Sequence, residues 1–139
     1  MPRKCTPTSR YVRPSTVTAA GTSLYLNYDL GQAPVIDETK VELWICGDRP
    51  GMQVLARVVY PRAVDPRSGQ ALAAFVIGSS YGTQGTWEKL TITNVREQIE
   101  QQARVLRAEL KLPVDTAEAY LDRVLLNVYT GTGSSRIWL

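Results

Sequence analysis

Hydrophobic and polar positions change period in the stretch from Tyr81 to Leu110, YGTQGTWEKLTITNVREQIEQQARVLRAEL. Over 87–93 the residues alternate, with Trp87, Lys89 and Thr91 on one side and Glu88, Leu90 and Ile92 on the other, which predicts a strand. From Asn94 onward, Val95, Ile99, Ala103, Leu106 and Leu110 recur at the spacing of one helical face, which predicts a helix over about 95–111. Asn94 and Glu97 have the spacing of a capping box at its start. Pro113 stops it, because proline cannot continue a helix. A helix so marked, in a chain otherwise patterned as strands, has to lay its apolar stripe on a sheet.

Upstream, Tyr11 to Thr18 is β-branched but interrupted by Pro14, which suits an edge strand, and a turn centred on Gly21 follows. Ser23 to Leu30 alternates cleanly, with Leu24, Leu26, Tyr28 and Leu30 on one face and Tyr25, Asn27 and Asp29 on the other, and predicts a half-buried strand. After a loop at Gly31 to Pro34, Glu38 to Cys46 predicts the next strand. Its apolar face is Val41, Leu43 and Ile45; Glu38, Lys40, Glu42, Trp44 and Cys46 lie opposite. Gly47 to Gly51, GDRPG, is turn chemistry. Gln53 to Tyr60 is apolar on both faces and is expected at the centre of a sheet. Pro61 to Gly69 is read as a connection and Ala71 to Ile77 as a further strand. Beyond Pro113, one helical turn near Thr116 is expected, then a strand from about Tyr120 to Tyr129, a hairpin-like loop TGTGSS, and the start of another strand at Ile137. Strands punctuated in this way predict a mainly β fold, an antiparallel β-sandwich with one long inserted helix.

Composition narrows the class. The 139 residues make one domain of ordinary size, read here as a tail over 1–9 and a single domain over 10–139. The end at Leu139, a few residues into an expected strand, is read as a sign of a longer protein. No apolar run long enough to span a bilayer occurs, and no apolar leader follows Met1. The net charge of +3 is spread in mixed sign, apart from Arg3, Lys4, Arg10 and Arg13 in the tail, so neither nucleic acid nor membrane insertion is indicated. Cys5 and Cys46 allow at most one disulfide, and Cys46 is read as a buried free thiol. The chain has no histidine, which removes Ser–His and Cys–His nucleophiles, His-ligated zinc and imidazole acid–base chemistry together.

The strand order, the GTWEKLTIT segment and the closing AYLDRVLLNVYTGTGSSRIWL resemble the jelly-roll sandwiches of galactose-binding-like and carbohydrate-binding-module domains, such as those in large bacterial envelope proteins. The resemblance covers roughly Tyr11 to Leu139. It implies a non-catalytic glycan-binding module in the cell envelope or outside the cell. The aspartate that follows the last aromatic in such modules has no counterpart here, so their structural calcium is not carried over and no cofactor is expected.

Sugars offer C–H faces that stack on aromatic rings and hydroxyls that pair with charged or amide groups. Trp44, Glu42, Arg57 and Tyr81 are the candidate contacts, with Tyr81 in its glycine-rich loop expected to be the most exposed aromatic. Catalysis is not expected. Glu38 and Glu42 on one strand face lie roughly 13 Å apart, whereas glycosidase carboxylates sit about 5 or 6.5–9.5 Å apart. The alternative is a structural or protein–protein interaction domain that associates with a neighbouring domain or with itself through an incomplete edge strand near Ile137. Two exposed aromatics on one polar sheet face favour the glycan reading; an apolar patch near the last strand favours the alternative.

Overall fold

The computed structural model describes residues 15–20, 25–127 and 132–138, the first and last of these segments by backbone alone. The fold is mainly β, with antiparallel sheets and one helix. The strands are β1 (Ser15–Ala20), β2 (Tyr25–Pro34), β3 (Val41–Gly47), β4 (Gln53–Val64), β5 (Ala71–Ser80) and β6 (Glu88–Ile92). The helix α1 (Val95–Leu110), β7 (Tyr120–Asn127) and β8 (Thr132–Trp138) complete the order. One sheet runs β1-β8-β3-β6 and the other β2-β7-β4-β5. Strands pair in nested fashion: β1 with β8, β2 with β7, β3 with β6 and β4 with β5, all antiparallel. Among the described residues β3 meets β8 through Cys46↔Trp138 and Gly47↔Ile137.

The alternation read from the sequence sorts side chains as the sheets require. On β4, Val54, Ala56, Val58 and Tyr60 turn inward and meet Leu72, Ala74 and Val76 of β5 and Leu121 and Leu126 of β7. Ile45 of β3 and Leu90 and Ile92 of β6 close this core from the other sheet, and Val95, Ile99 and Ala103 of α1 fill it from the side. β4 is central, as its two-sided apolar run implies, flanked by β5 and β7. β6 of one sheet packs directly on β5 of the other at Gly78. A Cβ there would lie 2.4 Å from the Thr91 carbonyl oxygen and 2.6 Å from Ile92 Cγ1, so no larger residue fits.

The helix also protects an edge. Gln98 Oε1 accepts from the Ile77 N–H at 2.8 Å, and Gln98 Nε2 donates to the Ile77 carbonyl at 2.9 Å, so one side-chain amide stands in for a neighbouring strand along β5. On the inner side the Tyr60 hydroxyl donates to the Ile99 carbonyl at 2.9 Å. Burial pushes the Tyr60 phenol pKa up to about 12.

Several expectations are corrected. Asn94 makes no side-chain cap; it sits in the left-handed region at φ 56°, and Lys111 ends the helix with φ 54°. Asparagine tolerates that region, so the residue turns the chain there instead of capping it. Gly31 to Pro34 is not a loop, because β2 runs on through a register shift between Asp29 and Ala33, with Gly31 at φ 66° and Asp29 Oδ1 accepting its N–H. β2 is less buried than expected: Leu26 and Ala33 pack against the core, but Tyr28, at 57%, and Leu30 are exposed. β4 continues past Pro61 to Val64. Cys46 is buried in β3 but disulfide-bonded, so it is not a free thiol. The sequence's other cysteine, Cys5, lies outside the described residues, as does the expected basic tail.

Candidate functional site

The residues singled out from the sequence fall in three separate places. Trp44 stands on the outer face of β3, 57% exposed, opposite Lys89 of β6. Glu42, two residues back on the same face, pairs with Lys40 at 3.0 Å and Lys89 at 3.7 Å. The Lys40 hydrogen bond and charge, with Lys89 behind them, hold the Glu42 carboxyl below its usual range. Trp44 is the only exposed large hydrophobic on this face among the described residues, which therefore show one aromatic of the pair expected of a stacking platform.

Tyr81 is the clearest correction. The sequence places it in a glycine-rich loop as an exposed ring, yet it is buried and holds the loops together. Its hydroxyl lies 2.6 Å from the Thr86 carbonyl, 2.7 Å from that of Thr83, and 3.2 Å from both the carbonyl and the N–H of Gly47. Its own N–H and carbonyl pair with Met52 and Gly51. Backbone groups of a turn need partners when they are buried, and the phenol, with one proton to donate among these carbonyls and an oxygen that accepts from the Gly47 N–H, ties the end of β3 to the loop. Glu88 completes this tie from outside. Its Oε1 accepts from the N–H groups of Gly82 and Thr83 and from Thr83 Oγ1, at 3.2, 3.1 and 2.7 Å.

Arg57 lies on the outer face of β2-β7-β4-β5. Its guanidinium grips Asp122 of β7 bidentately, with Nε at 3.0 and 3.1 Å from the two carboxylate oxygens and Nη2 also bonded. That hydrogen bond raises the Arg57 pKa further, so the group stays charged throughout. Arg123 adds a second, looser contact to Asp122 at 3.7 Å. Of the two carboxylates considered for catalysis, Glu42 lies on β3 and Glu38 in the turn before it, so they do not share a strand face. No group of three or more His, Cys, Asp or Glu able to hold a metal occurs among the described residues.

The surface that the sequence did not single out is the rest of that outer face. Register sets Leu125, Leu55 and Ile77 side by side across β7, β4 and β5, and Arg123, Arg57 and Phe75 in the next row. Phe75 is 47% exposed and Ile77 48%. The signal was present as Phe75 and Ile77 alternating with Ala74 and Val76, but a strand apolar on both faces reads from sequence as fully buried. The chain matches no family model, no curated protein and no solved structure.

Proposed function

We propose that this chain is a non-catalytic interaction module whose open β2-β7-β4-β5 face seats another protein. The observation that carries the reading is the half-exposed pair Phe75 and Ile77, with half-buried Leu55 beside Ile77 in register, on the side of the sheet away from the core. Contiguous exposed apolar side chains on a folded domain mark interaction surfaces. The Arg57–Asp122 pair inside the patch is internally neutralised, which lowers the desolvation cost of covering it and leaves Arg, a residue favoured in interface centres, in the middle. The nested strand pairing supports a jelly-roll sandwich as the architecture, since folding one long antiparallel ribbon produces those partners. The disulfide at Cys46 supports an oxidising compartment.

A photo-crosslinking residue at position 75, in the full chain expressed in its own cells, tests the reading against the same probe at exposed Val105 of α1. One discrete protein adduct at 75 and none at 105 is the expected result; equal or absent labelling overturns it. Exposed Trp44, beside Glu42 and Lys89, favours a second reading, the glycan module. Saturable polysaccharide retention that Trp44→Ala abolishes without unfolding the domain would carry that reading instead.

A further inference from the structure

β2 is an edge strand whose only ladder partner among the described residues is β7. Side chains are exposed on both of its faces: Tyr25, Asn27 and Asp29 outward, and Tyr28 and Leu30 on the side where Leu26 packs half-buried against the core. A solvent-facing sheet exposes one face of its edge strand; exposing both leaves a row of backbone groups flanked by aromatic and aliphatic side chains. Natural edges are guarded by lysines, prolines or bulges. Here the register shift and Pro34 guard the second half of the strand, and the regular segment Tyr25–Asp29 carries neither.

We infer that Tyr25–Asp29 pairs antiparallel with the same segment of a second copy, about a two-fold axis through Asn27, joining two sheets into one. Sheet chemistry selects this register. A two-fold normal to the sheet keeps outward residues opposite outward residues, because a slip by one flips every side chain. Among the registers that keep faces matched, the one centred on Asn27 pairs the whole regular segment. It sets Tyr25 opposite the second copy's Asp29, Asn27 opposite itself, and Leu26 opposite the second copy's Tyr28. The two Asp29 carboxylates then sit four residues apart along the strands, roughly 13 Å, so the only charges in the segment do not oppose. A register centred on Asp29 would set them face to face. The surface is an edge and is distinct from the open face proposed above; neither depends on the other.

The test is the oligomeric state of the full chain by sedimentation over a wide concentration range, for the wild type, Tyr25→Asp and Tyr25→Lys, with folding checked by circular dichroism. The expected result is a wild-type dimer. Tyr25→Asp, which sets like charges opposite each other twice by symmetry, raises its dissociation constant by about ten-fold or more. Tyr25→Lys, which meets Asp29 instead, leaves the dimer intact. A monomer at every concentration overturns the inference, as does equal weakening by both variants. A dimer broken by Phe75→Asp and not by Tyr25→Asp also overturns it and places association on the open face. Failure of the crosslink at 75 leaves the Tyr25 series unaffected, so the two proposals fail separately.

Discussion

Removing one oxygen from Tyr81 should cost the fold more than removing the same oxygen from Tyr60, although both phenols are buried. The Tyr60 hydroxyl donates to the Ile99 carbonyl, which belongs to α1 and has the helical N–H four residues on as a second partner. Tyr60→Phe therefore removes one supplementary bond, worth about 1 kcal/mol. The Tyr81 hydroxyl serves a turn. Of the carbonyls around it, Gly47's also accepts from the Gly85 N–H, and Thr83's from the Thr86 N–H and Oγ1. No such second donor is described for the Thr86 carbonyl, and the Gly47 N–H points at the phenol oxygen. Tyr81→Phe keeps the ring's packing but leaves that carbonyl and that N–H short of a partner, at about 2–3 kcal/mol together. Globular proteins gain about 2.1 cal/mol/K of unfolding entropy per residue, which for a chain of this size makes the loss about 7–10 °C in Tm, against about 3 °C for Tyr60→Phe. Differential scanning calorimetry of both variants decides it. A Tyr81→Phe shift no larger than that of Tyr60→Phe would refute the claim that the phenol ties the loops.

Other outcomes follow from the same contacts. Gly78→Ala should destabilise by about 3 kcal/mol or more in denaturant titration, at or above the top of the usual ~1–3 kcal/mol of overpacking, because its Cβ meets the Thr91 backbone oxygen, which cannot rotate away. Gln98→Ala should cost about 1–2 kcal/mol and speed hydrogen exchange at the Ile77 amide, since it uncovers the β5 edge. The raised Tyr60 pKa stabilises the fold fully below the unfolded value near pH 10 and is lost as pH rises towards about 12. Alkaline unfolding curves should therefore fall through that window, and Tyr60→Phe should flatten the fall. Thiol labelling of the protein unfolded without reductant should find no reactive group at Cys46, and labelling after reduction of the unfolded protein should find it.

Periodicity carried the architecture where one face of an element is buried. α1 was legible to within a residue of its last turn, and Val95, Ile99 and Ala103 are its buried side as the spacing required. β4 was legible as central because both of its faces are apolar. Periodicity failed where a face that looks half-buried is not covered. Leu26, Tyr28 and Leu30 alternate like a core face, yet only Leu26 packs against the core while Tyr28 and Leu30 are exposed on this edge strand, and a local pattern carries no information about position in a sheet. Turn chemistry failed for a different reason. Glycines around Tyr81 announced a loop correctly, but whether the ring points out or back depends on carbonyls contributed by Gly47, distant in sequence. The candidate contacts illustrate the same limit. Glu42 and Arg57 were read as candidate partners for sugar hydroxyls, and tertiary pairing gives them Lys40 and Asp122 as partners.

The Arg57–Asp122 pair is where stability and the proposed docking face separate most cleanly. Both side chains are largely withdrawn from solvent, Asp122 more than Arg57, so each is tolerable only because the other is there. Arg57→Met leaves the Asp122 carboxylate with only the looser Arg123 contact and should cost about 2–3 kcal/mol. Replacing both, Arg57→Met with Asp122→Leu, removes the unpaired charge along with its partner. Since swapping an ion pair for apolar residues of similar volume is often neutral or better, the double variant should recover to within about 1 kcal/mol of the wild type. Its open face would then be apolar from Leu55 through the substituted position to Phe75 and Ile77, without the charged fork. Chemical denaturation of the single and double variants, combined as a cycle, measures the coupling. A double variant as unstable as the single one would mean that the pair holds β4 to β7 by geometry that apolar packing cannot replace. Crosslinking at position 75 in the recovered double variant then separates the roles. Adducts spread over many proteins, in place of one, would show that the pair selects the partner and does not merely permit the fold.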